Sequence, residues 1–331
     1  MLAVFRNNHT TTLFILAIYV AALRLPAILG WLPAPVELSE TDGGLLFWDL
    51  FGSIAVNRQY SAIAAAVLVF IQALTINFLT DRNRMLDQRN WYPGALYALA
   101  SSLLPEFSVL TPTLVAATFI PFALFQIFGI YKQFQFVGSV FDSAFWISVA
   151  VLFHPPAVWC LPAAYVGLLS LRQLSARRQV VFFTGIFVPI FLAFAAYFWY
   201  DRAGSFVDTQ FSRWIYWPSF RSEAGFYHTM KLVLLGVLFA VVLLGFNVYY
   251  FRRLIQVQKF ITILYWFFFA GLAAALFHRE FRFDYFLLAM PAVGMFLAFL
   301  GQSIRNTGLV DFLHLLLLAA VYYVQFYPVI S

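Results

Sequence analysis

Apolar residues in this chain run together in blocks about twenty long, separated by short clusters of charges, glycines and prolines. An α-helix needs ~20 predominantly apolar residues to cross a ~30 Å hydrocarbon layer. Eleven blocks approach that pattern: 11–32, 61–80, 92–104, 113–131, 136–153, 157–171, 180–200, 229–250, 261–277, 285–301 and 309–327. The third and sixth are short, and prolines fall inside several. The pattern predicts an all-α, polytopic integral membrane protein with one transmembrane domain over residues 1–331. Two longer stretches interrupt it, 33–60 and 201–228. Within the first, residues 45–56 are aromatic and partly amphipathic, which predicts a helix lying along the membrane surface.

Composition supports the reading. The chain is 63% hydrophobic and 10% charged, whereas soluble domains carry about 25% charged residues. The net charge of +6 would suggest a nucleic-acid partner in a soluble protein. Sorting the charges by block removes that suggestion. With the N-terminus cytoplasmic, the inner loops hold twelve cations (Arg6, Arg82, Arg84, Arg89, Lys132, Arg172, Arg177, Arg178, Arg252, Arg253, Lys259, Arg305) against Asp81, Asp87 and Asp311. The outer side holds ten acids against seven cations. This is the positive-inside distribution, and it predicts eleven helices, the N-terminus inside and the C-terminus outside. The first block reads as a retained helix, since its apolar run continues past Arg24 to Leu32.

Few soluble-enzyme motifs are available. There is no GxxxxGK, GxGxxG, HExxH or GxSxG sequence, and the five histidines are scattered singly. No cofactor is implied. Within or near the apolar blocks the ionisable groups are Arg24, Asp142 and Asp49, which form no obvious relay of the kind an ion-coupled carrier needs. The loop 36–44 concentrates three carboxylates, Glu37, Glu40 and Asp42, just beyond the first block. Such a group can act as a general base toward a hydroxyl or amine, or hold a divalent cation beside a phosphate. Equally, acids gather in outer loops without a role, and Asp42 can cap the next helix.

A second concentration is 278–285, where His278, Arg279 and Arg282 stand on the cation-poor outer side at the start of a helix. These suit a lipid phosphate; they also have Glu280 and Asp284 nearby for local pairing. His154 lies in a His-Pro-Pro turn and could touch a phosphate or simply shape the turn. The stretch 201–228 mixes Arg202, Arg213 and Arg221 with Trp214, Tyr216 and Trp217, groups that bind sugars and phosphates or anchor the chain at the interface.

Taken together, the acidic first loop and the segment Arg279-Glu280-Phe281-Arg282-Phe283-Asp284-Tyr285-Phe286-Leu287-Leu288-Ala289-Met290-Pro291 resemble the C-type glycosyltransferase superfamily, polytopic enzymes that use polyprenyl-phosphate-linked sugars. The chain also looks like uncharacterised polytopic membrane proteins of Bacteroidetes. The first resemblance implies transfer of a sugar from a polyprenyl-phosphate donor to an envelope glycan acceptor on the external face of a bacterial inner membrane. It implies Glu40 and Asp42 as catalytic acids, and Arg279, Arg282, His278, His154 and Arg221 as substrate-binding residues. Its partners are membrane lipids and the acceptor, with no nucleic acid. On that reading, Glu40 or Asp42 and Arg279 or Arg282 converge on an outward-facing cavity. The competing class is a non-catalytic subunit of an envelope assembly machine, or a lipid-handling or transport protein with Arg24 and Asp142 lining a midplane cavity.

Overall fold

A computed structural model describes residues 2–6, 11–32, 42–131, 137–171, 175–211, 225–251, 253–278, 281–304 and 306–330. Among the described residues every regular element is helical. In chain order they are α1 (Thr11–Ile28), α2 (Leu45–Val56), α3 (Arg58–Arg82), α4 (Tyr92–Ala100), α5 (Pro112–Ile130), α6 (Val137–Phe153), α7 (Cys160–Ser170), α8 (Ala176–Trp199), α9 (Ala203–Phe211), α10 (Phe226–Leu244), α11 (Phe246–Tyr249), α12 (Ile255–Leu276), α13 (Met290–Ser303) and α14 (Thr307–Ile330). Each of the eleven apolar blocks falls on a helix, and the amphipathic piece 45–56 is α2. Seven helices are long and apolar enough to cross a membrane: α1, α3, α5, α8, α10 continued by α11, α12 and α14. Asn57 separates α2 from α3, its side chain accepting the Tyr60 N–H at 3.2 Å.

Three blocks deliver less helix than their apolar length predicts. The helices α4, α7 and α13 have 9, 11 and 14 residues, or about 14, 17 and 21 Å at a 1.5 Å rise. Prolines stand near these boundaries. Proline lacks the N–H that a helix interior needs and is favoured in a first turn, although α1, α5 and α8 carry Pro26, Pro121 and Pro189 in their interiors. Pro291 occupies the first turn of α13, Pro155 and Pro156 precede α7, and Pro105 follows α4.

The missing length is made up by three short 3-10 turns: Pro105–Ser108, Pro155–Trp159 and Phe283–Leu288. The last packs against α5, α12 and the Pro105–Ser108 turn, while the Pro155–Trp159 turn packs against α6, α7 and α12. Irregular backbone inside a membrane bundle is tolerated only where protein buries it or a cavity adjoins it. The three turns therefore mark one end of the bundle as the place where the fold departs from simple crossing helices.

The middle is closely packed. A Cβ on Gly294 of α13 would stand 2.7 Å from the Cα of Tyr97, so these two helices approach as only glycine permits. Buried hydrogen bonds tie α3, α4 and α5 together. Gln72 Nε2 donates to Leu114 O at 2.9 Å and to Thr118 Oγ1 at 2.6 Å, and the Tyr97 hydroxyl donates to Gln72 Oε1.

Candidate active site

The irregular end of the bundle gathers charges from remote parts of the chain. Two glycines bring the first of them in. Gly43 adopts φ +90°, and a Cβ there would fall 2.5 Å from Pro112. A Cβ on Gly44 would stand 1.9 Å from Leu152 O, and the Gly44 N–H donates to Phe153 O at 2.8 Å. Only a Gly-Gly pair lets the chain pass here between the ends of α5 and α6. That passage fixes Asp42, whose carbonyl also accepts the Trp48 indole N–H at 2.8 Å.

Asp42 is buried, and its carboxylate forms an ion pair with Arg282. Arg282 also holds Asp284, Nε to Oδ1 at 3.0 Å, and its guanidinium lies over the Tyr285 ring at 5.5 Å. One arginine thus bridges the first loop and the last irregular turn. Burial alone would lower the Arg282 pKa, but Asp284, Tyr285 and Asp42 outweigh it and the group is held more firmly charged than usual. Burial raises the Asp284 carboxyl above its ordinary range, against the pull of Arg282.

Two histidines and a tyrosine sit against this cluster. The His154 and His278 rings are nearly parallel with centroids 6.3 Å apart, and Tyr285 lies 5.3 Å from the first and 4.2 Å from the second. His154 is buried, and its Nε2 has no hydrogen-bond partner. Burial, then the neighbouring His278 and Arg282, push its pKa well below the usual imidazole value. At neutral pH it is an uncharged ring.

A second ion pair adjoins the first. Lys231 of α10 and Glu106 of the Pro105–Ser108 turn are both buried and paired. The Lys231 ammonium lies 4.5 Å from the Tyr227 ring centroid and 4.4 Å from that of Phe283, which is the residue after Arg282. Glu106 Oε2 has no hydrogen-bond partner.

Of the residues expected from sequence, the structure brings Asp42, Arg282, His278 and His154 together. Glu40, Arg279 and Arg221 lie outside the described residues. The expected alternative of local pairing for Arg282 is met as well, since it binds Asp284 two positions away in addition to distant Asp42. The acid and the cation converge in direct contact rather than across open space. Arg202 has a different part: it pairs with Asp49 at 3.0 Å, while the Tyr197 hydroxyl donates to Asp49 Oδ2 at 2.7 Å, tying α2 to α8 and α9.

Sequence reasoning missed Lys231 and counted Glu106 only as an outer acid. The inventory of ionisable groups in apolar blocks was too short: Lys231 is the third residue of block 229–250. A cation placed that far into an apolar stretch carries the same signal as Arg24. Among the described residues no group of three or more His, Cys, Asp or Glu side chains is placed to hold a metal ion.

No protein-family model matches the chain, and no curated protein is similar to it in sequence. Among solved structures, the crystal structure of ArnT from Cupriavidus metallidurans bound to undecaprenyl phosphate matches with a TM-score of 0.52 at 15% identity. The match covers 88% of this chain and 56% of that one. In fold the chain resembles this C-type glycosyltransferase. It spans a little over half the length of ArnT, and at this identity the likeness concerns the fold. Among these membrane helices the Asp42–Arg282 contact joins the segment after α1 to the segment before α13.

Proposed function

We propose that this protein transfers a sugar from a polyprenyl-phosphate donor to an envelope acceptor on the external face of the inner membrane, with eleven crossings, the N-terminus inside and the C-terminus outside. The observation that carries the reading is the buried contact between Asp42 and Arg282 at the irregular end of a C-type fold. The undecaprenyl phosphate bound to ArnT is of the lipid class proposed for the donor.

In the proposed reaction an acceptor hydroxyl or amine attacks the anomeric carbon. The bond from that carbon to the phosphate oxygen breaks, and its electron pair leaves with the phosphate. The acceptor proton passes to the Asp42 carboxylate, with Glu40 as the other carboxylate of the same loop. The configuration inverts. The leaving group changes from a phosphodiester monoanion to a phosphomonoester with an additional charge, so it needs a cation more than it needs a proton. Arg282 supplies one, with Arg279, His278 and Arg221 as the further contacts expected from sequence, and His154 as a neutral hydrogen-bonding ring. In the resting pair each group blocks the other. A donor phosphate that takes Arg282 releases Asp42 to act as base.

The test is genetic and chemical. In cells lacking the gene, wild-type protein should restore the glycan and clear an accumulated lipid-linked sugar detected by mass spectrometry. Asp42→Asn should lower the turnover by about 10²–10⁴-fold, the range for loss of a general base. Full restoration by Asp42→Asn combined with Glu40→Gln overturns the reading.

A further inference from the structure

A cavity of about 280 Å³ lies between α4, α10, α13 and α14, and the proposed chemistry does not use it. Leucine, isoleucine and valine side chains line it, together with Gly301 and one polar residue, His314 of α14. It reaches Leu300, Gly301 and Ile304 at the far end of α13, away from the end that follows Arg282. None of the residues of the Asp42–Arg282 centre lines it.

His314 is 2% exposed, and Tyr19 of α1 fixes which of its nitrogens carries the hydrogen. The Tyr19 hydroxyl and His314 Nε2 are 2.8 Å apart, with the two rings stacked at 5.8 Å. The hydroxyl makes no other hydrogen bond among the described residues, so its hydrogen goes to Nε2. The neutral imidazole then carries its own hydrogen on Nδ1. That Nδ1 has no hydrogen-bond partner. Buried N–H groups are nearly always paired, because leaving one unpaired forfeits its hydration. A donor of this kind in the wall of an apolar cavity calls for an acceptor oxygen brought by a ligand.

Four occupants can be weighed by their oxygens. Water takes two to four polar partners when buried, and His314 is the single polar side chain of the lining. A charged head group meets no opposite charge there, since no lining residue carries one. The ester oxygens of bilayer lipids stay at the head-group boundary, whereas His314 stands seven residues into α14, about 10 Å along its axis. A polyprenyl phosphate has its oxygens at the phosphate end alone. The remaining class is an uncharged molecule dissolved in the hydrocarbon and bearing a carbonyl. The cavity of about 280 Å³ is close to twice the ~150 Å³ that accepts benzene, so two fused rings match its size.

We propose that this cavity binds a two-ring quinone, with the rings among the aliphatic side chains and one carbonyl oxygen accepting the His314 Nδ1 hydrogen. Tyr19 is the positioning residue: it holds the tautomer that makes Nδ1 a donor. The site goes beyond the transfer reaction and stands apart from it.

The experiment combines thermal unfolding and equilibrium binding on the full-length protein in detergent. Two probes share one ring system: dimethylnaphthoquinone, which has carbonyls, and dimethylnaphthalene, which has none. The quinone should raise Tm by several degrees and bind about five- to tenfold more tightly than the hydrocarbon, the factor expected of one hydrogen bond. His314→Phe keeps a flat ring without the N–H and should bring the quinone down to the affinity of the hydrocarbon. Tyr19→Phe should weaken the quinone alone, by a smaller factor. Leu238→Phe narrows the cavity, which Leu238 lines, and should abolish binding of both probes with His314 intact. Equal affinity of the two probes for wild type overturns the proposal, and this comparison needs no variant to fold. So does quinone binding that is unchanged in His314→Phe or that survives Leu238→Phe. No readout involves sugar transfer, so failure here leaves the transfer reading untouched.

Discussion

At the Asp42 centre both cations meet carboxylates: partly buried Arg282 holds Asp42 and Asp284, and buried Lys231 holds Glu106. Arg24, more completely buried than either, donates to a backbone carbonyl. The two regions adjoin through the Pro105–Ser108 turn, yet they treat the same problem differently. In the first, attraction between neighbours offsets the loss of hydration, so the resting state is closed and electrically settled. In the second no acid among the described residues offsets it, and the rest of α1 packs against α3 and α4. The contrast separates charges that the fold itself neutralises from one that meets no acid among the described residues.

Removing one partner should break the settled region most severely. Lys231→Met leaves Glu106 buried without its cation, a change that costs about 3–5 kcal/mol in comparable buried pairs. The double change Lys231→Met with Glu106→Leu should recover most of that loss. Thermal unfolding of the three proteins checks both statements, and a single variant as stable as wild type would show that the pair contributes little.

A smaller effect is expected from the glycine passage. Gly44→Ala places a methyl 1.9 Å from Leu152 O, and forcing backbone to yield in a packed site costs about 1–3 kcal/mol. Its sharper consequence is functional, because the shift moves Asp42 relative to Arg282. Transfer activity should fall more than stability does. Equal losses in both would mean that Gly44 serves the fold alone.

The smallest effect is a pH dependence. His154 takes up a proton near pH 6.5 when unfolded, while burial, His278 and Arg282 hold its folded pKa well below that value. Below pH 6.5 the unfolded state therefore binds more protons, so stability contributed by neutral His154 is complete above 6.5 and is lost as pH falls. The slope cannot exceed about 1.4 kcal/mol per pH unit for one proton. Unfolding of wild type and His154→Gln between pH 7.5 and about 5.5 isolates the term. Parallel curves would remove His154 from the account.

How much of this was legible in the sequence varies by element. The eleven blocks fell on helices because hydropathy is a sum over neighbouring residues, and lipid rewards that sum directly. The starts of α7 and α13 were misplaced because an apolar window does not register prolines that fix where a helix begins. Asp42, Arg282, His278 and His154 could be nominated by residue type and side of the membrane, but their contact could not. Lys231 was overlooked because it stands near the edge of its apolar block, although α10 begins five residues earlier, at Phe226.

The sequence by itself determined that this chain lives in lipid as an all-helical bundle. Only the tertiary structure decided that Asp42 would meet Arg282, that Glu106 would meet Lys231, and that Arg24 would meet no acid among the described residues. The reason is physical. Partition into lipid is additive along the chain, so it can be read locally. Whether a buried charge finds its partner depends on which distant segments three short helices and two glycines allow to come together.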